Sequence, residues 1–170
     1  MTTANYVTLA RIALSPLVIV FLFLDLNGLA LIAFLLIALT DWVDGYIARH
    51  YNQVTDLGKF LDPLADKILV TIVLIYLVGL GRANPIPVMI IVSREFIVSG
   101  IRVIVAKSGK IIAASSSAKW KTFSQNIAIA MLIINIPYAD WVLWLAVLLS
   151  VVSGGGYLWQ TNLLKQSKSN

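Results

Sequence analysis

The chain has 170 residues, of which 59% are apolar and 12% charged, against roughly 45–50% and 25% in an ordinary soluble domain. Thirteen Lys and Arg against eight Asp and Glu leave 13 − 8 = +5, which in so apolar a chain speaks for membrane topology and anionic lipid, with no nucleic acid expected as a partner. There is no Cys, which excludes disulfides, thiolate metal sites and Cys nucleophiles.

Long stretches such as Ile12 to Leu24, Leu26 to Thr40 and Ile68 to Gly81 carry no Asp, Glu or Lys, and no Arg. Breaks in apolarity predict six helices, over 5–24, 28–51, 58–80, 85–107, 116–137 and 139–165. The first holds Asn5, Thr8, Arg11 and Pro16, and it lacks the frame of a cleavable signal peptide. Asn27-Gly28 marks the turn into the second, which ends in Asp41, Asp44, Gly45, Ala48 and Arg49. The third opens with Gly58, Asp62 and Asp66. Its Pro63 fits either the first helical residue after an Asp62 cap or an early turn of a helix begun near Gly58. Gly81 to Pro87 leads into the fourth, with Arg94, Glu95 and Arg102. Lys119 and Lys121 sit at the start of the fifth, and Ile136 to Tyr138 separates it from the sixth, where Gly154 to Gly156 reads as a packing or bending element. The expected fold is an all-α integral membrane protein, a six-transmembrane-helix bundle forming a single domain over 1–170.

Six spans put both termini and the second and fourth connections on one side. Only Arg82 then falls clearly on the far side, while Arg49, Lys59, Lys67, Arg102, Lys107, Lys110, Lys119, Lys121, Lys165 and Lys168 share the near one. The positive-inside rule makes that side cytoplasmic. Asp25 and Asp140 belong to the opposite face, with Tyr138, Trp141 and Trp144 in an aromatic belt there. Several uncharged runs of 11–15 residues reach only about 17–23 Å at 1.5 Å per residue, short of the roughly 30 Å hydrocarbon thickness. Charged residues must therefore sit below the surface, where they are costly unless paired, metal-bound or facing a wet cavity. That cavity is expected to open to the cytoplasm.

Asp41 and Asp44 lie three apart and Asp62 and Asp66 four apart, so each pair shares one face of its helix. A short connection brings the two helix ends together, and four carboxylates can converge. They would repel severely unless neutralised. Oxygen-only ligation suits Mg²⁺ or Mn²⁺, and two such ions balance four carboxylates while leaving positive character for a diphosphate. Gly45 and Gly58 remove side chains where a bulky ligand approaches the backbone, and Arg49 offers a planar fork for phosphate.

The pattern D-x-x-D-G-x-x-A-R-x8-G-x-x-x-D-x-x-x-D is complete in Asp41, Asp44, Gly45, Ala48, Arg49, Gly58, Asp62 and Asp66. It resembles the signature of the CDP-alcohol phosphotransferase family. The resemblance implies six membrane helices, commonly in a homodimer, that transfer a phosphatidyl group from CDP-diacylglycerol to an alcohol with release of CMP. It also implies that Asp41, Asp44, Asp62 and Asp66 hold two divalent cations and that Gly45, Ala48, Arg49 and Gly58 help hold the cytidine diphosphate. Asp66 would in addition take the proton from the acceptor hydroxyl. Asn5, Thr8 and Arg11 look like the nucleotide-side N-x-x-T-x-x-R of relatives, with Ala4 in place of the Pro often seen before that Asn.

Ser93 to Glu95 and on to Arg102, with Lys119 and Lys121 in A-K-W-K-T, resemble the corresponding segments of phosphatidylglycerophosphate synthases, whose acceptor is glycerol-3-phosphate. Arg94, Arg102, Lys119 and Lys121 would bind the acceptor phosphate; ordinary topology-setting cations are the competing reading of these four. Other acceptors within the family are phosphatidylglycerol, inositol phosphate and serine. A divalent-cation transporter is the alternative outside it, and would continue the acids toward the far face. A bacterial cytoplasmic membrane, with active site and termini cytoplasmic, is the expected location.

Overall fold

The computed structural model describes the backbone of residues 3–50, 56–107 and 116–166. Side-chain environments are described for residues 8–40, 64–65, 67–101, 105 and 120–156. Six α-helices make up the described chain: α1 (Thr3–Phe23), α2 (Asn27–His50), α3 (Asp56–Gly79), α4 (Pro85–Lys107), α5 (Ser116–Ile133) and α6 (Ala139–Gln166). All six expected helices are present, with α3 beginning two residues before Gly58 and α5 ending four residues short of 137. Pro63 therefore lies inside the second turn of α3 rather than at its first residue.

Contacts divide the chain into two compact units, one of Met1–Ala83 with Ile129–Ile136 and one of Asn84–Ala128 with Pro137–Asn170. In the first, α1 packs against α2 and α3. Its buried stripe runs Thr8, Arg11, Ser15, Val18, Leu22, while Ala30, Phe34 and Ile37 of α2 and Leu69, Val73 and Leu77 of α3 complete the interior. These positions recur every three or four residues, as one helix face requires. The interior is apolar toward the C-terminus of α1 and polar toward its N-terminus. In contrast, the outward faces are apolar: Leu14, Leu17, Val20 and Phe23 on α1 and Ile32, Leu36 and Leu39 on α2 are exposed.

In the second unit α4 packs on α6. Lys121, Ser124 and Gln125 give way to Ala128 along the buried face of α5, and Leu143, Ala146 and Val147 give way to Ser150 and Ser153 along that of α6. Trp141, Leu145, Leu148 and Val152 of α6 point outward. Apolar outward faces around an interior that mixes apolar and polar residues depart from the arrangement of a soluble protein.

Three helix ends close by the same device. Asp25 (φ 57°), Gly81 (φ 69°) and Asn135 (φ 55°) adopt the left-handed conformation. At the first, the Leu26 amide donates to the Phe21 carbonyl at 2.9 Å and the Asp25 amide to Leu22 at 3.1 Å. The pairs Arg82–Leu77 with Gly81–Val78, and Ile136–Met131 with Asn135–Leu132, repeat this pattern, which satisfies carbonyls a helix end otherwise leaves without partners. Arg82 then ties these turns together: its Nη1 donates to Asn27 Oδ1 at 2.7 Å and to the Ile133 carbonyl at 2.9 Å, and Nη2 lies 3.8 Å from the Asp25 carboxylate. In the other unit Asn84 caps α4, its Oδ1 accepting from the Ile86 amide at 3.0 Å with Pro85 as first helical residue, while its own amide donates to Asp140 at 3.1 Å.

By length and composition, the stretch Ala139–Gly156 of α6 suffices to cross a bilayer among the described residues; Thr8–Phe23, Asn27–Thr40 and Lys67–Gly79 are shorter apolar helices.

Candidate active site

The motif residues occupy two helices of the first unit. Asp41, Asp44, Gly45, Ala48 and Arg49 lie in the second half of α2, and Gly58, Asp62 and Asp66 in the first half of α3. The side chains of Asp41, Asp44, Arg49, Asp62 and Asp66 lie outside the described residues, and so do those of Asn5, Arg102 and Lys119. Helical register nevertheless relates their positions to the packed interior. On α2 the buried sequence Ala30, Phe34, Ile37 continues at the same spacing through positions 41, 44 and 48. On α3, positions 62 and 66 precede buried Leu69, Val73 and Leu77 at the same spacing. Five residues separate the end of α2 from the start of α3, so those two ends are at most about 20 Å apart.

α1 meets α2 immediately beside this motif. Arg11 is 3% exposed, and its Nε donates to Thr40 Oγ1 at 3.2 Å. Thr40 Oγ1 donates in turn to the Ile37 carbonyl at 2.6 Å. The guanidinium is therefore held against the residue that precedes Asp41. Thr8, one turn earlier, is buried on the same face. Arg11 is thus an interior residue that ties α1 to the acid-bearing end of α2.

The acceptor-phosphate candidates lie in the second unit. Arg94 Nη1 lies 2.8 Å from Glu95 Oε1, and its Nε donates to the Ser150 carbonyl at 2.9 Å. Lys121 Nζ donates to the same Glu95 Oε1. Side-chain exposures of 15% for Arg94, 13% for Glu95 and 9% for Lys121 put all three mostly out of water. Two cations share one carboxylate, which leaves the trio at a formal 2 − 1 = +1. Gly154 makes room for this arrangement, because a Cβ there would stand 3.0 Å from Arg94 Nε. Gly154, read from sequence as a packing or bending element, lets Arg94 of α4 pack closely on α6, and Glu95 is the partner of Arg94; what sequence reading missed is that Lys121 shares that carboxylate.

A family model for CDP-alcohol phosphatidyltransferases matches residues 1–152, which include the whole aspartate motif and the Arg94–Glu95–Lys121 cluster. The chain belongs to the CDP-alcohol phosphatidyltransferase family. Among curated relatives of this phosphatidyltransferase, the CDP-diacylglycerol–glycerol-3-phosphate 3-phosphatidyltransferase of Bacillus subtilis is 42% identical, covering 90% of this chain and 91% of its own. The protein of the same name from Rickettsia bellii is 41% identical over 90% of this chain and 91% of its own. That from Pseudomonas fluorescens is 36% identical over 94% and 86%.

Proposed function

We propose that this chain transfers the phosphatidyl group of CDP-diacylglycerol to glycerol-3-phosphate, forming phosphatidylglycerophosphate and CMP. The observation that carries the reading is the complete aspartate motif on α2 and α3 in a chain about 40% identical, over most of its length, to enzymes of that name.

The donor set at the motif is carboxylate oxygen only, at positions that continue the inward stripes of α2 and α3, and it fits two hard divalent cations, Mg²⁺ or Mn²⁺. Asp41, Asp44, Asp62 and Asp66 would hold them. When bound, such ions offset the charge of the carboxylates and of the substrate diphosphate. Arg49 adds a planar fork for the diphosphate, Gly45, Ala48 and Gly58 keep bulk away from it, and Asn5 and Thr8 approach from α1. Asp66 takes the proton of the acceptor hydroxyl. The freed oxygen forms a bond to the phosphorus that carries the diacylglycerol, and the bond from that phosphorus to the bridging oxygen breaks, so that CMP leaves. Arg102, Lys119 and Lys121 bind the phosphate of glycerol-3-phosphate, in the subsite to which Arg94 also belongs.

The same reading makes the chain a single six-span domain over 1–170 in a bacterial cytoplasmic membrane, active as a homodimer, with its site and both termini cytoplasmic. Its surface supports the bilayer as solvent, because the outward faces of α1, α2 and α6 are apolar. Exposed Tyr138, Trp141 and Trp144 suit an interfacial belt. A family match that runs through parts of both compact units supports one functional domain.

An acceptor panel tests the function. Purified protein with CDP-diacylglycerol and Mg²⁺ is expected to release CMP with glycerol-3-phosphate at least about a hundredfold faster than with phosphatidylglycerol or serine, because a site built to pair a buried phosphate monoester rejects acceptors that lack one; inositol phosphate, which carries one, is the closer competitor and is included in the panel. Preference for another acceptor would retain the family chemistry and retire this substrate. Metal flux into liposomes without CDP-diacylglycerol would favour a transporter instead.

A further inference from the structure

The Arg94–Glu95–Lys121 cluster is too unbalanced to be a simple ion pair. A structural pair in an apolar helical unit is neutral, since each unmatched charge there carries a desolvation cost. Among the described residues one carboxylate oxygen receives two cations, and the second cation adds charge that the α4–α6 packing does not require. The bonds also differ in kind. Arg94 Nε is committed to the Ser150 carbonyl and Nη1 to Glu95, with Nη2 beside Gly154, so two donors and one flank of the guanidinium are taken up by α4 and α6. The ammonium of Lys121 has three donors, and one of them goes to Glu95. The described contacts form a chain: Ser150 carbonyl, Arg94, Glu95, Lys121.

We infer that Glu95 is a positioning residue for the acceptor subsite, held by Arg94 and aiming the Lys121 ammonium at the phosphate monoester of the acceptor. The inference rests on the proposed use of glycerol-3-phosphate and refines it. Arg94 acts through Glu95 rather than by direct contact, and Gly154 leaves room for it: a methyl group there would stand 3.0 Å from Nε, so the guanidinium would have to give by a few tenths of an ångström. The net +1 of the trio attracts the acceptor's phosphate, and the Glu95 carboxylate fixes the direction in which a flexible four-carbon side chain presents its charge.

Steady-state kinetics of the full-length protein test this. Glu95→Gln keeps the shape and loses the charge; it is expected to raise KM for glycerol-3-phosphate about tenfold or more while leaving KM for CDP-diacylglycerol within twofold. Lys121→Met should raise the same KM, and Glu95→Gln added to Lys121→Met should raise it by less than twofold further, because a residue acting through Lys121 has nothing left to aim. Gly154→Ala alters no charge and should reproduce the selective rise at about threefold, which keeps the idea testable if the charge variant does not fold. Wild-type protein that uses glycerol-3-phosphate, with Glu95→Gln and Gly154→Ala changing neither KM or both equally, would refute the positioning role alone. Multiplying effects in the double variant would do the same. Wild-type protein that leaves glycerol-3-phosphate untouched would refute both this role and the substrate assignment beneath it.

Discussion

Asp66→Asn is expected to lower turnover by about 10³-fold or more while leaving the melting temperature within about 2 °C. The amide keeps the size and one oxygen of the side chain but cannot accept the acceptor's proton, and positioned general bases contribute on the order of 10²–10⁴ in rate. It also removes one of the four anionic donors, so loss of charge at the proposed cation site adds to the loss of the base. Position 66 lies one turn before buried Leu69 on α3, and exchanging a carboxylate for an amide there leaves the described packing of Leu69, Val73 and Leu77 intact. Retention of turnover within tenfold of wild type would overturn the assignment of the base.

The second large effect concerns stability at the opposite ends of α1 and α3. Arg82→Met should destabilise the fold by about 2–3 kcal/mol, seen as a fall in melting temperature of several degrees. Its guanidinium is 17% exposed, and it donates to Asn27 Oδ1 and to the last carbonyl of α5. Removing it leaves a helix-terminal carbonyl without this donor, and hydrogen bonds from charged donors are worth roughly 1.5–3 kcal/mol each. Asp25 is a different matter. Its side chain is 85% exposed at 3.8 Å from Arg82, so the ion pair contributes little, and Asn tolerates the left-handed conformation Asp25 adopts. Asp25→Asn should therefore shift stability by less than about 0.5 kcal/mol. Equal losses for the two variants would show that the ion pair, not the hydrogen bonds to the turns, holds these ends.

The contrast between the two sites also shows what the sequence carries. The aspartate motif was legible because carboxylates at i, i+3 and i, i+4 on adjacent helix ends are chemically improbable in apolar segments without a ligand. The six helices were legible because long uncharged runs leave few other choices. Helix boundaries depended on finer effects. Asn27-Gly28 suggested the first turn, yet the left-handed residue that ends α1 is Asp25, and Gly28 lies inside α2. Asn135 stops α5 earlier than the apolar run suggests, since a cap with the Ile136 amide bonded to Met131 closes it there. Pro63 was ambiguous because a proline is compatible with early helical positions, and only the start of α3 at Asp56 decided between them.

The partners of Arg82 and the link from Glu95 to Lys121 were hidden for a different reason. The partners of Arg82 lie 55 and 51 residues away in sequence, and Lys121 lies 26 from Glu95. No helical period links such residues, so their roles emerge only when the helices are packed. Arg11 falls between these cases. The N-x-x-T-x-x-R pattern linked it to Asn5 and Thr8, but its bond to Thr40, the residue before Asp41, required the contact of α1 with α2.

The central claim is that the four motif aspartates together form a divalent-cation centre. Counting bound Mn²⁺ by electron paramagnetic resonance, with CDP present, tests it most directly. Wild-type protein is expected to bind about two ions per chain, and Asp41→Asn/Asp62→Asn, which takes one carboxylate from each helix, less than about one under the same conditions. Undiminished binding in that folded double variant would contradict the claim.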